Sequence, residues 1–379
     1  MKRLIPLDAC YATFCGENKY KYSYKPPHPH SMISKIIETE ESLNNLLDQQ
    51  PEQSNSWLAA AIEWSWAVWE EADLLGPLTL SGEQINSGLH LAQNPVYICG
   101  VHHSGTTLVR NILQGQPELV VLPSKSAYCA NLESKLRMLP ETEQLAFLCT
   151  GWLRRLANPG HDQPCWMLGR SVGAISPYVT FARYLMSWWE IAAKMESEQW
   201  PNIAVVLAYA TITDNLHAKL WVDKTPTNER FLTRIWQEMP NAKIIHVIRE
   251  PFAVINSVKM MDPSLNMQAA LTDLELSFRI AFDLSPLKDP GYLLLRYEDL
   301  FDDLPAVAEK LSSFLNVGIS EISDHSPLAG QAEILSLAEH QLVASYVGTL
   351  AGKFNYPVKQ VGFLRKLCLR LKYNFLQSA

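Results

Sequence analysis

Short, uniformly apolar runs separated by longer stretches of helical periodicity organise the middle of the chain. The runs at 96–99, 119–122, 221–223, 244–248 and 292–295 read as buried strands. Between them, 107–113, 178–195, 203–219, 230–238 and 252–259 space their apolar residues as helices do. Apolar strands alternating with helices predict an α/β fold with a mostly parallel central sheet flanked by helices. Upstream, 34–47 and 56–75 also carry helical spacing. The expected organisation is therefore a mainly helical N-terminal extension over 1–90, packed on a core spanning 91–379. No internal repeat interrupts it.

Composition narrows the classes. A chain of 379 residues that is 47% hydrophobic can bury a large core. A formal charge of −7 excludes a general nucleic-acid binder, which needs surplus basic residues to neutralise phosphates. Seven cysteines without a Cys-x-x-Cys pair make neither a disulfide framework nor a zinc pattern. No cleavable apolar leader is evident, and no run reaches the roughly 18 apolar residues of a membrane span. The expectation is a cytoplasmic protein.

Several features carry less weight. His28 and His30 have no third ligand nearby and read as surface histidines rather than a metal site. Trp57, Trp64, Trp66 and Trp69 on the second helix, and Trp152, Trp166, Trp188 and Trp189 further on, either pack a core or line an apolar or carbohydrate-stacking pocket. The basic, leucine-rich segment 361–376 either docks as a helix on the domain or makes weak contact with an anionic membrane surface. Docking is the better reading in so acidic a chain.

The chemistry concentrates at "VYICGVHHSGTTLVRNIL", residues 96–113. Gly100 and Gly105 have the separation of a nucleotide-binding P-loop and Thr107 supplies its last hydroxyl, but Thr106 stands where the lysine belongs. A strand that turns sharply into a helix points backbone N–H groups and the positive end of the helix dipole into one small volume. Ser104, Thr106 and Thr107 add hydroxyls there. Without the lysine or a Walker B acid, an ATPase, GTPase or atypical P-loop kinase is the poorer reading. The bland alternative is a turn in which the glycines only permit the bend.

Two later stretches change that balance. In "AKIIHVIREPFAVINSVKMM" a buried strand runs into Arg249, Pro251 suits a first helical turn, and Ser257 follows about two turns along. A guanidinium fork and a hydroxyl so placed can bracket a phosphate. In "WVDKTPTNER" Lys224 ends a strand and Pro226 begins a turn, which brings an ammonium to the same edge.

With these motifs in order, the chain resembles the nucleotide-dependent sulfotransferase family. The family's Ser-Gly-Thr-Thr loop is matched at 104–107, its Arg-x7-Ser motif by Arg249 and Ser257, its Lys-Thr-Pro at 224–226, and its Tyr-Glu-Asp-Leu at 297–300, the likeness covering roughly 94–316. The resemblance implies a P-loop sulfotransferase fold. It further implies sulfuryl transfer from 3′-phosphoadenosine 5′-phosphosulfate (PAPS) to a hydroxyl or amine, with adenosine 3′,5′-bisphosphate (PAP) as product and no metal. By that likeness His103, Ser104, Gly105, Thr106 and Thr107 hold the 5′-phosphosulfate, Arg249 and Ser257 the 3′-phosphate, and Tyr297 lies near adenine. Lys353, in the tail "GTLAGKFNYPV", closes over the nucleotide, and Lys224 neutralises charge on the bridging oxygen.

The chain departs from its family at two points. Better-known relatives carry Lys or Arg before Ser-Gly-Thr-Thr, where this chain has His103, preceded by His102. A neighbouring anion favours the imidazolium, so His103 replaces the missing cation or else acts as general base. The family's glutamate base, some twenty residues past the loop, is replaced by Lys125; Glu133, His102 and His103 are the remaining candidates. Lys125 there also leaves open a protein that binds PAPS or PAP without catalysis. The acceptor, whether small molecule, glycan, lipid or peptide tyrosine, meets the variable segments 32–90 and 125–215.

Overall fold

The computed structural model describes residues 32–48, 54–160, 163–172, 175–285, 290–319 and 334–357. His28, His30 and the basic segment 361–376 lie outside them. The chain divides into two compact units, one of residues 1–92 and 122–217, the other of 93–121 and 218–379.

The second unit is built on a five-stranded sheet in the order β2-β3-β1-β4-β5. Its strands are β1 (Pro95–Cys99), β2 (Leu119–Val121), β3 (Leu220–Lys224), β4 (Lys243–Ile248) and β5 (Tyr292–Arg296). Every pairing is parallel, with Ile98 opposite Lys224 on one side of β1 and opposite Ile245 on the other. Uniform apolarity explains the parallel arrangement, because β1 and β2 are buried throughout and β4 at every residue but Lys243.

Alternation along the strands sorts their side chains into two cores. Val96, Ile98, Val222, Ile245 and Val247 pack with Val109 and Ile112 of the helix Thr106–Leu113 and Leu311 of the helix Leu304–Leu315. Ile248 packs into a separate cluster with Val254, Leu274, Phe278 and Val343 from the helices Pro251–Met261, Met267–Leu284 and Leu337–Ala351. The sheet is therefore covered on both faces, as parallel sheets require.

The other unit is helical. Its elements include Met32–Asp48, Ser54–Leu75, Gly82–Ala92, Glu141–Ala157, Pro177–Ala192 and Trp200–Ile212. Trp64, Trp152 and Trp188 are fully buried there, and Trp166 meets Trp64 and Tyr178 edge to face. Trp66, by contrast, is 43% exposed. Gly88 sits under the Trp188 ring, where a Cβ would overlap the indole.

Strand positions match the apolar runs within a residue or two, while two helices differ. The segment read as helical over 203–219 starts at Trp200 with Pro201 in its first turn and stops at Ile212. Asp214 turns left-handed with φ 53° and the Asn215 N–H returns to the Ala210 carbonyl, as short polar side chains favour at helix ends. The segment 230–238 opens as a 3-10 turn, Asn228–Phe231, before the helix Leu232–Glu238. No helix among the described residues is long and apolar enough to cross a membrane.

Candidate functional site

Because β1 is central, the loop leaving its carboxyl end lies between the ends of β3 and β4. Ligands of open parallel sheets gather at such a crevice. The order brings three sequence-distant features to one rim: the loop after Cys99, Lys224 at the last position of β3, and Arg249 directly after β4.

The loop's shape depends on its glycines. Gly100 has φ 139°, and a Cβ there would collide with the Val247 carbonyl oxygen. Gly105, with φ 101°, precedes the helix Thr106–Leu113, and a Cβ on it would enter the Tyr297 ring. Gly105 is the N-cap residue and offers no side-chain cap, so the first N–H groups and the positive end of the dipole open toward the loop. His103 adopts a left-handed φ of 66° within the turn.

Arg249 and Ser257 both reach the loop. Arg249 Nη1 donates to the His103 carbonyl at 3.0 Å, and Ser257 Oγ stands 3.0 Å from His103 Nδ1. The Arg249 guanidinium also lies 4.1 Å above the centre of the Tyr297 ring. His103, Gly105, Arg249, Ser257 and Tyr297 thus form one contiguous cluster.

Lys224 is held beside it through its own turn. The Thr225 N–H donates to the Ile98 carbonyl at 3.2 Å and the Thr227 N–H to the Gly100 carbonyl at 3.0 Å, which extends the β1–β3 ladder onto the loop. Thr225 Oγ1 bonds buried Asp223 at 3.0 Å. The Lys-Thr-Pro segment is therefore stitched to the loop by backbone as well as by register.

The remaining candidates are placed differently. Thr106 is buried and Thr107 half-buried, while His102 is exposed. Ser104 is wholly buried, its Oγ unpartnered and packed toward Gly100. Lys353 is exposed in a short 3-10 turn, Gly352–Phe354. Lys125 and Glu133 belong to the helical unit. There Glu133 is buried at the start of the helix Glu133–Arg137 and pairs with Arg137 at 2.8 Å.

Sequence reasoning missed the groups that brace this rim. Glu298, second residue of the Tyr-Glu-Asp-Leu match, accepts the Glu250 N–H at 2.9 Å and the Tyr356 hydroxyl at 2.7 Å. Glu250 in turn caps the helix after Arg249 by accepting the Ala253 N–H at 2.7 Å. Burial raises the Glu250 carboxyl above the usual range, and the nearby Glu298 adds to the shift. In the tail, the Tyr356 hydroxyl ties back to Glu298, just after β5. Its only sequence signal was an aromatic following a helix.

The residues suit a nucleotide that carries two separate anionic groups. An uncapped helix N-terminus and glycine turn offer one anion site, and a guanidinium with a serine hydroxyl offers another beside it. Among the described residues no group of His, Cys, Asp or Glu could hold a metal ion.

The known proteins to which this chain is similar are sulfotransferases. The family model described as "Sulfotransferase family" matches residues 95–321. The chain is 23% identical over 313 residues to the omega-hydroxy-beta-dihydromenaquinone-9 sulfotransferases of Mycobacterium bovis and Mycobacterium tuberculosis, covering 70% of this chain and 76% of each relative. Among solved structures it is similar to the sulfotransferase domain of the Synechococcus PCC 7002 olefin synthase, at 21% identity over 74% of this chain and 94% of that one, with a TM-score of 0.39. A sulfotransferase from Mycobacterium tuberculosis H37Rv is 15% identical over 86% of this chain and 93% of its own, also with a TM-score of 0.39. The family match takes in more than half of the chain, including the loop, Lys224, Arg249, Ser257 and Tyr297, and the protein belongs to the sulfotransferase family.

Proposed function

We propose that the chain transfers the sulfuryl group of PAPS to an acceptor hydroxyl or amine by in-line displacement, releasing PAP. The observation that carries this reading is the contact of Arg249 and Ser257 with His103, which sets a 3′-phosphate site against the loop suited to the 5′-phosphosulfate. PAPS supplies the activated sulfuryl group. Loop amides and Thr107 hold the 5′ end, Arg249 and Ser257 the 3′-phosphate, and the Tyr297 ring flanks the base.

Lys224 and His103 neutralise charge at the bridging phosphate oxygen, where preorganised donors are each worth roughly a hundred- to a thousandfold in rate. Ser257 engages Nδ1 of His103 and so fixes the ring beside the loop. A general base removes the acceptor proton, contributing on the order of a hundred- to ten-thousandfold. Glu133, His102 and, if it is not the cation, His103 are the candidates for it, while Lys125 would contact an anionic acceptor. The acceptor hydroxyl of the mycobacterial relatives supports a hydroxyl acceptor here, at an identity too low to carry over the molecule that bears it.

Transfer of radiolabelled sulfate from PAPS to a panel of hydroxylated lipids, glycans and phenols tests the proposal directly. A chain that binds PAP tightly yet labels none of them fits the second reading, nucleotide binding without catalysis, which Lys125 at the expected base position favours.

A further inference from the structure

Both backbone groups of Gly100 are tied to the segment that follows Lys224. Its carbonyl accepts the Thr227 N–H at 3.0 Å, and its N–H donates to Oε2 of Glu229, also at 3.0 Å. A P-loop amide normally faces the anion, but this one turns inward to a carboxyl that is only 3% exposed. Glu229 Oε1 has no hydrogen-bond partner, and Ser277 stands beside the carboxyl.

From Ser277 the polar contacts continue through the core. Ser277 Oγ lies 2.8 Å from His246 Nε2, and His246 Nδ1 lies 2.7 Å from the Tyr292 hydroxyl. Ser277 and His246 are buried, and Tyr292 is nearly so. A buried polar string thus runs from the anion loop across β4 to β5. An ionised carboxylate at its head would set a negative charge directly behind a site meant for anions. Burial opposes this by favouring the uncharged acid, since it raises the Glu229 carboxyl above its ordinary value.

We propose that Glu229 is a positioning residue of the donor site: by holding the Gly100 N–H while Thr227 holds its carbonyl, it sets the loop in register with Lys224. The inference rests on the loop binding the 5′ end of the nucleotide. The acceptor oxygen is what matters, so Glu229→Gln, whose amide carbonyl can take the same N–H, preserves the arrangement. Glu229→Ala leaves a buried donor unpaired, a loss on the order of tenfold or more in an equilibrium that depends on it.

Two measurements on the full chain decide the matter: PAP affinity by calorimetry and deuterium exchange at the Gly100 amide by NMR. E229A is expected to weaken PAP about tenfold and to speed exchange, while E229Q stays within about threefold of the unmodified protein in both. PAP binding by E229A equal to that of the unmodified protein overturns the proposal, as does an E229Q that fails like E229A. Should E229A not fold, rapid exchange at Gly100 in the unmodified protein overturns it and slow exchange retained by E229Q supports it. Failure of the unmodified protein to bind PAP refutes the sulfotransfer reading instead. The brace is then judged on exchange alone, faster in E229A upholding it and unchanged overturning it.

Discussion

Ser257 Oγ lies 3.0 Å from Nδ1 of His103, so the serine proposed for the 3′-phosphate and the histidine proposed to replace the family's cation share a hydrogen bond. Residues in direct contact do not act independently. Ser257→Ala and His103→Ala should each weaken PAP by roughly tenfold, and the double variant should lose clearly less than the product of the two. Calorimetry on the four proteins measures the coupling. Strictly multiplicative losses would mean that the two side chains serve separate sites.

His103 as cation also has a pH signature. With PAPS and acceptor saturating, turnover should fall as pH rises through the imidazole's titration, because the charge that offsets the bridging oxygen disappears. Turnover that instead rises across that range assigns His103 as base.

Arg249 combines a hydrogen bond to the His103 carbonyl with stacking over Tyr297, which a lysine cannot reproduce. Arg249→Lys should weaken PAP by about tenfold and Arg249→Ala by about a hundredfold. Adenosine 5′-monophosphate, lacking the 3′-phosphate, should be affected far less. Equal losses for both nucleotides would remove Arg249 from the 3′ site.

Lys224 sits at the end of β3, in register with Ile98 just before the loop. Lys224→Ala should lower turnover by roughly a hundred- to a thousandfold while PAP affinity stays within about tenfold. Weakened binding with unchanged turnover would give the ammonium a role in affinity only.

Gly105 has a left-handed φ of 101° and lies against the Tyr297 ring. Gly105→Ala should abolish PAP binding, and Gly105→Ala with Tyr297→Leu should recover little, since strain remains after the overlap is relieved. Full recovery in the double variant would make the ring contact the whole effect.

His246 is fully buried, and burial lowers its pKa to about 3 from an ordinary 6.5. Between those values the unfolded chain binds the proton and the native one does not, so stability is whole above pH 6.5 and falls as the medium is acidified toward pH 3. The slope from this one group is about 1.4 kcal/mol per pH unit. Denaturant titrations of the unmodified protein and of His246→Gln, compared from pH 7 downward, should differ in slope by about 1.4 kcal/mol per pH unit, the unmodified protein losing stability faster. Parallel curves would show that His246 is not buried neutral.

Much of the candidate site was legible because its motifs are local. Gly100, Gly105 and the hydroxyls between and after them sit within one strand–turn–helix, and Arg249 and Ser257 within another, so the motifs taken in order, with the family likeness they carry, picked them out. Glu229, Glu298 and Tyr356 escaped notice for the opposite reason. Each is an ordinary acid or aromatic by type, and its importance lies in a partner far along the chain: Gly100 for Glu229, Glu250 and Tyr356 for Glu298. The tail shows the difference well, since a charged Lys353 drew attention while the buried hydroxyl of Tyr356 made the bond.

The amino-acid sequence by itself determined the strands, their parallel pairing class and the glycine turn between strand and helix, because apolar runs, helical periodicity and glycine spacing act within a few residues of one another. Strand order was beyond its reach. Only the folded sheet, with β1 between β3 and β4, decided that the strands leading to Lys224 and Arg249 flank the loop that bears His103 and that a buried carboxyl stands behind Gly100. Pairing between distant strands is chosen by the packing of two whole faces against their helices, a collective energy that no local pattern encodes.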